Sequence, residues 1–369
     1  MSEQDRRGLG RRQYLKATGA AAAGTALAGC SSGDPTAQTS DATDDTTEET
    51  EQTTEEPEGP VDVKAMVFTH FEVGEYSGDT PGEFQMWYDG YDLTNKIEVP
   101  GAWAPVFYND DGVAATLTGM GHSFCGPSVA AILGSSALDF TDTYFLSAGI
   151  SGTPPDVGTL GSVFVSDYVV NWDFGHRWAQ EDDASDLDGG EGTDQEFALQ
   201  IYPGRPFDYV YELNDALVDK AVSLSDGVEL ADSDRAKEYR QMYPQETANR
   251  DPFIDTGTTV SGEEYWHGPT FSEQAEYISS EYGASTYATT EMEDYATATA
   301  VKQHGHLDRY LSIRSVSNFD QPHPDQTVAE SLEADSGGFI PSVTNAYRVG
   351  KTLVDDIVEN WSDWQDGVP

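Results

Sequence analysis

Short runs of consecutive apolar residues recur along the chain after residue 60, and each run ends in a polar or glycine-rich turn. Such runs are typical of strands buried on both faces of a sheet, because a half-exposed strand alternates apolar and polar residues instead. We therefore predict strands at 63–69, 113–118, 143–148, 161–165, 252–254 and 311–316.

Apolar residues at helical spacing predict helices at 128–138, 210–224, 272–282, 290–303 and 345–361. Strands that alternate with helices indicate an α/β fold, with a central sheet covered by helices on both faces. We predict one folded domain over 61–369, because no second linker interrupts it. Two polar segments rich in Asp, Glu and Gly, 177–204 and 225–250, are interpreted as insertions or excursions at the surface.

The first 29 residues contain the features of an export signal in the expected order. Arg11 and Arg12 come first, an apolar stretch follows, and Leu-Ala-Gly-Cys ends at Cys30. Twin arginines are typical of export of a folded protein, and the final four residues resemble a lipobox, whose cysteine carries lipid. The apolar stretch is shorter than the roughly 20 residues that span a bilayer. We predict a lipoprotein exported by the twin-arginine route and anchored through Cys30 on the outer face of the membrane.

Residues 30–60 are predicted to form a disordered stalk between this anchor and the domain. The segment 31–60 has ten acidic residues and no Lys, Arg or aromatic residue. Such a composition cannot bury enough apolar surface to offset the loss of chain entropy on folding. Cys125 is the one cysteine left after lipidation of Cys30, so the mature domain forms no intramolecular disulfide.

The charge of the chain limits its partners. The 369 residues include 66 Asp and Glu against 19 Lys and Arg, a formal net charge of −47. Such a surface repels phosphate backbones and anionic lipid headgroups, which argues against nucleic-acid binding and electrostatic membrane docking. After residue 60 the ratio is still 54 to 14, with acids scattered rather than clustered. This pattern is typical of a protein that works in multimolar salt, where self-repulsion is screened.

Chemistry is expected in the turns that follow the strands, where open α/β sheets bind ligands. Gly119-Met120-Gly121 before a helix would suit an anion, although a tight strand-to-helix turn needs glycine on conformational grounds alone. Gly121-His122-Ser123 is similar to a serine-hydrolase elbow, but Cys125 stands where that motif has glycine. Histidines and cysteines do not occur at ligand spacing, so we predict no metal and no cofactor.

Taken in order, these turns resemble the purine nucleoside permease family, which is similar to the nucleoside phosphorylases and nucleosidases. The resemblance runs from about residue 63 to 361. Its most specific stretches are Thr-Gly-Met-Gly at 118–121, Tyr-Phe-Leu-Ser-Ala-Gly-Ile-Ser-Gly at 144–152, Gly-Thr-Leu-Gly-Ser-Val at 158–163, Tyr-Trp-His-Gly at 265–268, Met-Glu-Asp at 292–294 and Arg-Ser-Val-Ser-Asn-Phe-Asp at 314–320. It implies a single-domain, three-layer fold with a mixed, twisted central sheet.

The resemblance also implies roles for individual residues. Met292 and Glu293 would hold the ribose, with the carboxylate accepting hydrogen bonds from two hydroxyls. Asn318 would lie beside N7 of the purine, where an amide is associated with 6-oxopurines. The base would pack against Tyr265 and Trp266 and near Ser151 and Gly152. Glu72 would orient water, with Arg314 close to it.

Two departures bear on the reaction. Relatives have Phe-Glu-Pro-Glu after the first strand, whereas this chain has Phe-Glu-Val-Gly-Glu, so the second acid is missing or shifted to Glu75. Phosphate-using relatives carry arginines in the first turn and the glycine-rich turn, but residues 72–76 and 119–126 contain no Arg or Lys. Phosphorolysis is therefore disfavoured.

Alternatives stay open at this point. Tyr265 and Trp266 could be core aromatics, Glu293 could favour a helix dipole, and Arg314 could pair with an acid. The first functional hypothesis is a cell-surface lipoprotein that binds purine nucleosides and takes part in their uptake. The second is an extracytoplasmic nucleosidase that hydrolyses the N-glycosidic bond. A separate transporter and assembly into homo-oligomers are left open.

The charge predicts that folding depends on salt. Dilution from multimolar salt into low-salt buffer should unfold the domain, because self-repulsion among the scattered acids is no longer screened. Circular dichroism at decreasing salt concentrations measures the transition. A melting temperature that does not change with salt would contradict this interpretation.

Overall fold

A computed structural model describes residues 59–182, 193–194, 196–202 and 208–369. The predicted signal segment, Cys30 and most of the predicted stalk lie outside the described residues. Within the described ranges, no helix combines the length and the apolar composition needed to cross a membrane.

The strands are mostly short and lie in one large sheet and two small ones. They are β1 (Val61–Asp62), β2 (Ala65–Thr69), β3 (Asn95–Ile97), β4 (Val106–Tyr108), β5 (Val113–Leu117), β6 (Leu138–Asp139), β7 (Tyr144–Thr153), β8 (Val163–Asn171), β9 (His176–Arg177), β10 (Thr193–Asp194), β11 (Leu199–Gln200), β12 (Val210–Glu212), β13 (Ile254–Ser261), β14 (Tyr287–Glu291) and β15 (Tyr310–Phe319). The large sheet has the order β12-β8-β13-β14-β7-β2-β5-β4-β3, and β15 pairs with both β7 and β8.

The helices connect these strands. They are α1 (Gln85–Gly90), α2 (His122–Leu133), α3 (Asp215–Leu224), α4 (Asp234–Arg240), α5 (Pro269–Glu281), α6 (Asp294–Gln303), α7 (Val328–Glu333), α8 (Phe339–Glu359) and α9 (Trp361–Trp364). Short 3-10 turns lie at Thr247–Asn249 and Leu307–Arg309.

The sheet is mixed and covered on both faces, which confirms the predicted three-layer α/β architecture. β2 pairs in parallel with β5 and β7, whereas β15 is antiparallel to β8. On β7, Leu146 lies against α8 beside Gly350, and the next residue, Ser147, donates a hydrogen bond to Asp294 at the start of α6. Because successive side chains of a strand point to opposite faces, α8 and α6 lie on opposite sides of the sheet.

Several predicted boundaries are wrong, for local physical reasons. The predicted helix at 210–224 begins with strand β12, and the helix itself starts after Asn214, whose side chain accepts from the Ala216 N–H. The predicted helix at 290–303 begins with the last two residues of β14. The predicted helix at 128–138 starts six residues earlier, at His122, and contains Pro127. The strand predicted at 252–254 is β13, which begins at Ile254 and continues to Ser261. Its threonine-rich stretch is buried because the Thr258 and Thr259 hydroxyls donate hydrogen bonds to Ser285 and Glu291.

The segment 225–250, interpreted as an insertion or an excursion at the surface, is partly buried. Helix α4 buries Ala236 and Tyr239 in a cluster with Phe164 of β8 and Phe319 of β15. Arg240 is buried too, and its guanidinium donates to Asp232 and Asp251. The charged composition of the segment thus conceals a helix that is half buried.

Glu72 has a structural role in the turn after β2. Its carboxylate accepts hydrogen bonds from the backbone N–H groups of Val73, Gly82, Phe84 and Gln85, the last at 2.7 Å. It therefore closes the loop 72–85 and satisfies free N–H groups where α1 begins.

We expect Glu72→Gln to destabilise the fold, because an amide NH₂ cannot accept from the N–H groups that face it. The expected loss is about 1–3 kcal/mol of the free energy of unfolding, measured by denaturant titration in high salt. Glu75→Gln, in the exposed part of the same loop, is the matched control. Equal stability of both variants and the parent chain would contradict the capping role.

Candidate functional site

A large pocket opens where the ends of β7, β14 and β15 meet the turn that follows β2. Its volume is about 1540 Å³. Seven of the residues predicted for the site line it: Ser151, Gly152, Tyr265, Trp266, Met292, Glu293 and Asn318. The other two predicted residues, Glu72 and Arg314, are not among its lining residues.

Glu293 forms part of the pocket floor. The residue is 6% exposed and follows Met292 in the bend between β14 and α6. One carboxylate oxygen, Oε1, accepts from the Gly121 N–H at 3.0 Å, and the other, Oε2, lies 3.3 Å from Arg314 Nη1. Burial raises the pKa of Glu293 to about 7, although Arg314 and the Gly121 N–H lower it. Each oxygen thus has one protein partner and a remaining lone pair towards the cavity.

Arg314 lies beneath this floor, on β15, with no exposed surface. Its guanidinium binds Asp294 side-on, with Nε 2.9 Å from Oδ2 and Nη2 bonded to Oδ1. Nη1 donates to Glu293 and to the Ile150 carbonyl, both at 3.3 Å. Arg314 therefore orients Glu293 from below. These contacts agree with the alternative interpretation of the sequence, in which Arg314 pairs with acidic residues.

Asp294 is the most enclosed carboxylate of the group. Besides Arg314, it accepts hydrogen bonds from the hydroxyls of Ser147 and Ser312. Burial alone would raise the pKa of Asp294, but the Arg314 guanidinium and these donors hold it below the usual value. Asp294 is thus an anion that neutralises Arg314.

Glu291 belongs to the same group. Its Oε2 accepts from the N–H groups of Glu293 and Asp294 at 2.6 and 2.8 Å and lies 3.1 Å from Arg314 Nη2. These donors fix the bend between β14 and α6, which presents Glu293 to the cavity.

Glu83 is a second carboxylate of the pocket floor, and the sequence analysis did not identify it. It is 5% exposed, lines the cavity, and accepts from the N–H groups of His70 and Ile150, both at 2.8 Å. Burial raises its pKa to about 7. A Cβ on Gly149 would lie 2.6 Å from Glu83 Oε1 and 2.7 Å from Arg314 Nη1, so glycine is needed at 149 for both groups to approach.

A signal for Glu83 existed in the sequence, in Pro81-Gly82-Glu83 just before a helix. Glu72 and Glu75 come directly after the strand, whereas the loop lines the pocket again from Gly78 onwards and so brings Glu83 to it.

His70 supports the floor as a neutral base. Its Nε2 lies 3.1 Å from Arg314 Nη2, and its Nδ1 lies 2.7 Å from the Thr118 hydroxyl. Burial and the neighbouring Arg314 lower the pKa of His70 well below its usual value. The imidazole is therefore an acceptor for Arg314 and adds no positive charge.

Carboxylates of the protein bind at the N-terminus of α2, where the glycine-rich turn was predicted to suit an anion. The Gly121 N–H donates to Glu293, and the Ser123 N–H donates to Glu263. A helix N-terminus attracts anions because its first N–H groups are free. Here the protein's own carboxylates use two of them.

One wall of the pocket is polar but not acidic. The Asn318 Nδ2 donates to the Phe319 carbonyl at 2.9 Å, and its Oδ1 accepts from the Ser317 hydroxyl at 3.0 Å. A Cβ on Gly152 would lie 3.0 Å from Asn318 Nδ2, so glycine leaves room for the amide. The Ser151 hydroxyl donates to the Ser315 carbonyl.

Trp266 supplies an aromatic wall, and Tyr265 lies at the surface beside it. Trp266 is 7% exposed and stacks on Trp172 with ring centroids 5.1 Å apart. The Arg177 guanidinium covers Trp172, 4.1 Å from the ring centroid. Tyr265 is 44% exposed. Trp266 therefore both lines the pocket and packs in a core cluster.

The outer wall comes from two segments that the sequence analysis left out of the site. Ser233, Arg235 and Tyr239, around α4, line the cavity together with residues 331–337, which run from the end of α7 into the following loop. The Ser233 hydroxyl donates to the Gly337 carbonyl, and Arg235 Nε donates to the Asp335 carbonyl. These bonds join the two segments into one wall.

Solved structures with the same fold include a nucleosidase and a hydrolase. The 5′-methylthioadenosine/S-adenosylhomocysteine nucleosidase of Neisseria meningitidis, in complex with methylthio-immucillin-A, aligns with a TM-score of 0.51 over 79% of this chain and 99% of its own, at 14% identity. The futalosine hydrolase of Helicobacter pylori aligns with a TM-score of 0.51 over 80% and 98%, at 15% identity. At this identity the likeness concerns the fold.

Relatives by sequence are described as permeases. A probable purine nucleoside permease of Schizosaccharomyces pombe is 31% identical over 270 residues, 67% of this chain and 76% of the relative. A purine nucleoside permease of Candida albicans is 28% identical over 296 residues, 74% of this chain and 72% of the relative. The model of the purine nucleoside permease family matches residues 62–369. The chain therefore belongs to the purine nucleoside permease family.

Proposed function

We propose that this protein binds purine nucleosides in the described pocket and takes part in their uptake. The observation that carries the proposal is Glu293, a buried carboxylate at the pocket floor whose two oxygens are each held by one donor. A fixed carboxylate with two open lone pairs suits the adjacent 2′- and 3′-hydroxyls of a ribose, since an ionised carboxylate only accepts hydrogen bonds. Met292 lines the cavity beside it.

The base is proposed to lie between Trp266 and the wall of Ser151, Gly152 and Asn318. The indole offers a flat apolar surface, which suits a planar purine. Asn318 offers an amide that hydrogen-bonds the base but does not protonate it at neutral pH. The family resemblance associates an amide at this position with 6-oxopurines, so we propose these as the preferred bases.

Uptake is proposed from the names of the relatives and from the N-terminal sequence. Two fungal relatives are named purine nucleoside permeases. The order of twin arginines, apolar stretch and lipobox supports export and anchoring through Cys30. In this scheme the domain captures nucleosides outside the cell and a separate transporter moves them or their bases across the membrane.

Hydrolysis of the N-glycosidic bond is the second candidate function, and Glu83 favours it. A carboxylate with a pKa of about 7 is half ionised near neutral pH, which suits a general base that activates water. The ribosyl group becomes cationic as the base departs, and Glu83 and Glu293 would stabilise that charge from the floor. The nucleosidases that share the fold support this candidate at the level of architecture.

Phosphorolysis is less favoured. Glu293 and Glu263 occupy the N-terminus of α2, and Asp294 binds the Arg314 guanidinium side-on. A phosphate would have to displace carboxylates from both groups.

We expect inosine to bind in high-salt buffer, and any hypoxanthine to be released without phosphate. Calorimetry measures binding, and chromatography with and without phosphate measures release. If inosine binds and no hypoxanthine is released, the hydrolysis candidate is excluded and the uptake role is supported. Release that requires phosphate would contradict the argument that carboxylates occupy the N-terminus of α2.

The variant Glu293→Ala should bind inosine roughly 10- to 100-fold more weakly, which is the contribution expected of hydrogen bonds to a charged group. Unchanged affinity of this variant would exclude the proposed ribose site.

If the protein hydrolyses nucleosides, we expect kcat/KM to rise with pH through about 7, because the base must be ionised. The sign follows from the pKa of Glu83, which is raised, so the protonated and inactive form predominates below about 7. Glu83→Gln should abolish turnover and retain inosine binding. Glu75→Gln, on the exposed part of the same loop, is the control that keeps both. A pH profile that stays flat between about 6 and 8 would exclude Glu83 as the base.

A further inference from the structure

The pocket floor contains more buried carboxyl groups than cationic groups. Four carboxyl groups, those of Glu83, Glu291, Glu293 and Asp294, are each at most 6% exposed. Among the described residues, Arg314 is the one cation that these groups contact, since His70 is neutral. Burial raises the pKa of Glu83 and Glu293 to about 7 and that of Glu291 to about 8, so an added positive charge would favour the ionised form of all three.

The Arg314 guanidinium already has partners inside the protein. Its Nε and Nη2 bind Asp294, and its Nη1 donates to Glu293 and a carbonyl. The hydrogen bonds to Glu83 come from two backbone N–H groups, which carry no full charge. Of the floor carboxylates that line the cavity, Glu83 is thus the one that forms no ion pair with Arg314.

The wall proposed for the base contains polar groups that are not acids. Its polar groups are the hydroxyls of Ser151 and Ser317 and the Asn318 amide. None of these donates a proton to a leaving base at neutral pH. A base that already carries a positive charge needs no such proton.

We infer that the pocket selects nucleosides whose base is cationic, as in a purine quaternised at N7, over neutral nucleosides of the same shape. The inference rests on the proposed nucleoside site and deepens it. The charge of such a base is spread over the ring bonded to C1′, directly above the ribose that Glu293 would hold. The carboxylate excess of the floor would then be compensated by the ligand in its ground state.

The same feature would favour cleavage of these nucleosides. When the bond between C1′ and N9 breaks, its electron pair goes to N9 and the cationic base departs as a neutral molecule. The oxygen of water bonds to C1′, and its proton passes to Glu83. No general acid is required, which suits the amide at Asn318.

The outer wall supports discrimination against anions. Arg235 is the one Lys or Arg among the described lining residues, and its Nε already donates to the Asp335 carbonyl. Acidic side chains also line the cavity, namely Asp79, Asp232, Glu264, Glu333 and Asp335. A 5′-phosphate would therefore meet net negative charge on every side.

The test compares two ligands of one shape and different charge. 7-Methylguanosine is cationic in slightly acidic buffer, where its N1 keeps a proton, and 7-methyl-7-deazaguanosine is its neutral counterpart with the same methyl group. Guanosine and guanosine 5′-monophosphate complete the set, and calorimetry on the full chain in high salt gives the four dissociation constants. We expect the cationic ligand to bind at least about tenfold more tightly than its neutral counterpart, and the monophosphate more weakly than guanosine.

Two variants locate the effect. Glu83→Gln should reduce the preference for the cationic ligand several-fold, whereas Glu281→Gln, an equal charge change at the exposed end of α5, should preserve it. Equal affinities of the two methylated ligands, or an equal loss of preference in both variants, would overturn the inference while guanosine binding still supports the nucleoside site. If none of the four ligands binds, the proposed function itself fails.

Discussion

The buried pair of Arg314 and Asp294 is the contact on which the site depends. Two strands and a helix meet there, because Arg314 lies on β15, Asp294 begins α6, and the Ser147 hydroxyl of β7 bonds to Asp294. Removal of one partner from a buried pair typically costs about 3–5 kcal/mol, since the other charge is left uncompensated. The pair therefore fixes the junction of elements that carries the pocket floor, in addition to setting its charge.

This junction explains why the pocket lies where it does. β7 and β15 run in parallel from Phe145 and Tyr310 to Thr153 and Phe319, and their ends form the wall opposite Trp266. The backbone of β7 also supplies the Ile150 N–H to Glu83 and the Ile150 carbonyl to Arg314. Strand β7 thus binds both the Glu83 carboxylate and the Arg314 guanidinium through the backbone of Ile150. Glycine at 149 leaves room for both side chains.

The sequence predicted the apolar part of the fold and the motif-borne part of the site. Strand β2 is an almost continuous apolar run and β7 begins with one, Glu293 belongs to a motif that follows a strand, and Asn318 lies near the end of β15. Two kinds of feature were missed for physical reasons. Strand β13 is rich in threonine, which signals burial only when its hydroxyls find internal partners, as Thr259 does with Glu291. Glu83 has a local signal in Pro81-Gly82-Glu83, but that signal does not encode the closure of the loop by Glu72, which brings Glu83 to the pocket.

The stack of Trp266 on Trp172 has an optical consequence. Two indoles with centroids 5.1 Å apart and planes inclined by 26° couple their electronic transitions, and a guanidinium lies over the second ring. Such a pair gives a circular dichroism signal that depends on the mutual orientation of the rings. Because Trp266 also lines the cavity, a planar molecule placed against it joins the coupled system. The protein thus contains a chromophore whose spectrum reports the occupancy of the pocket without any label.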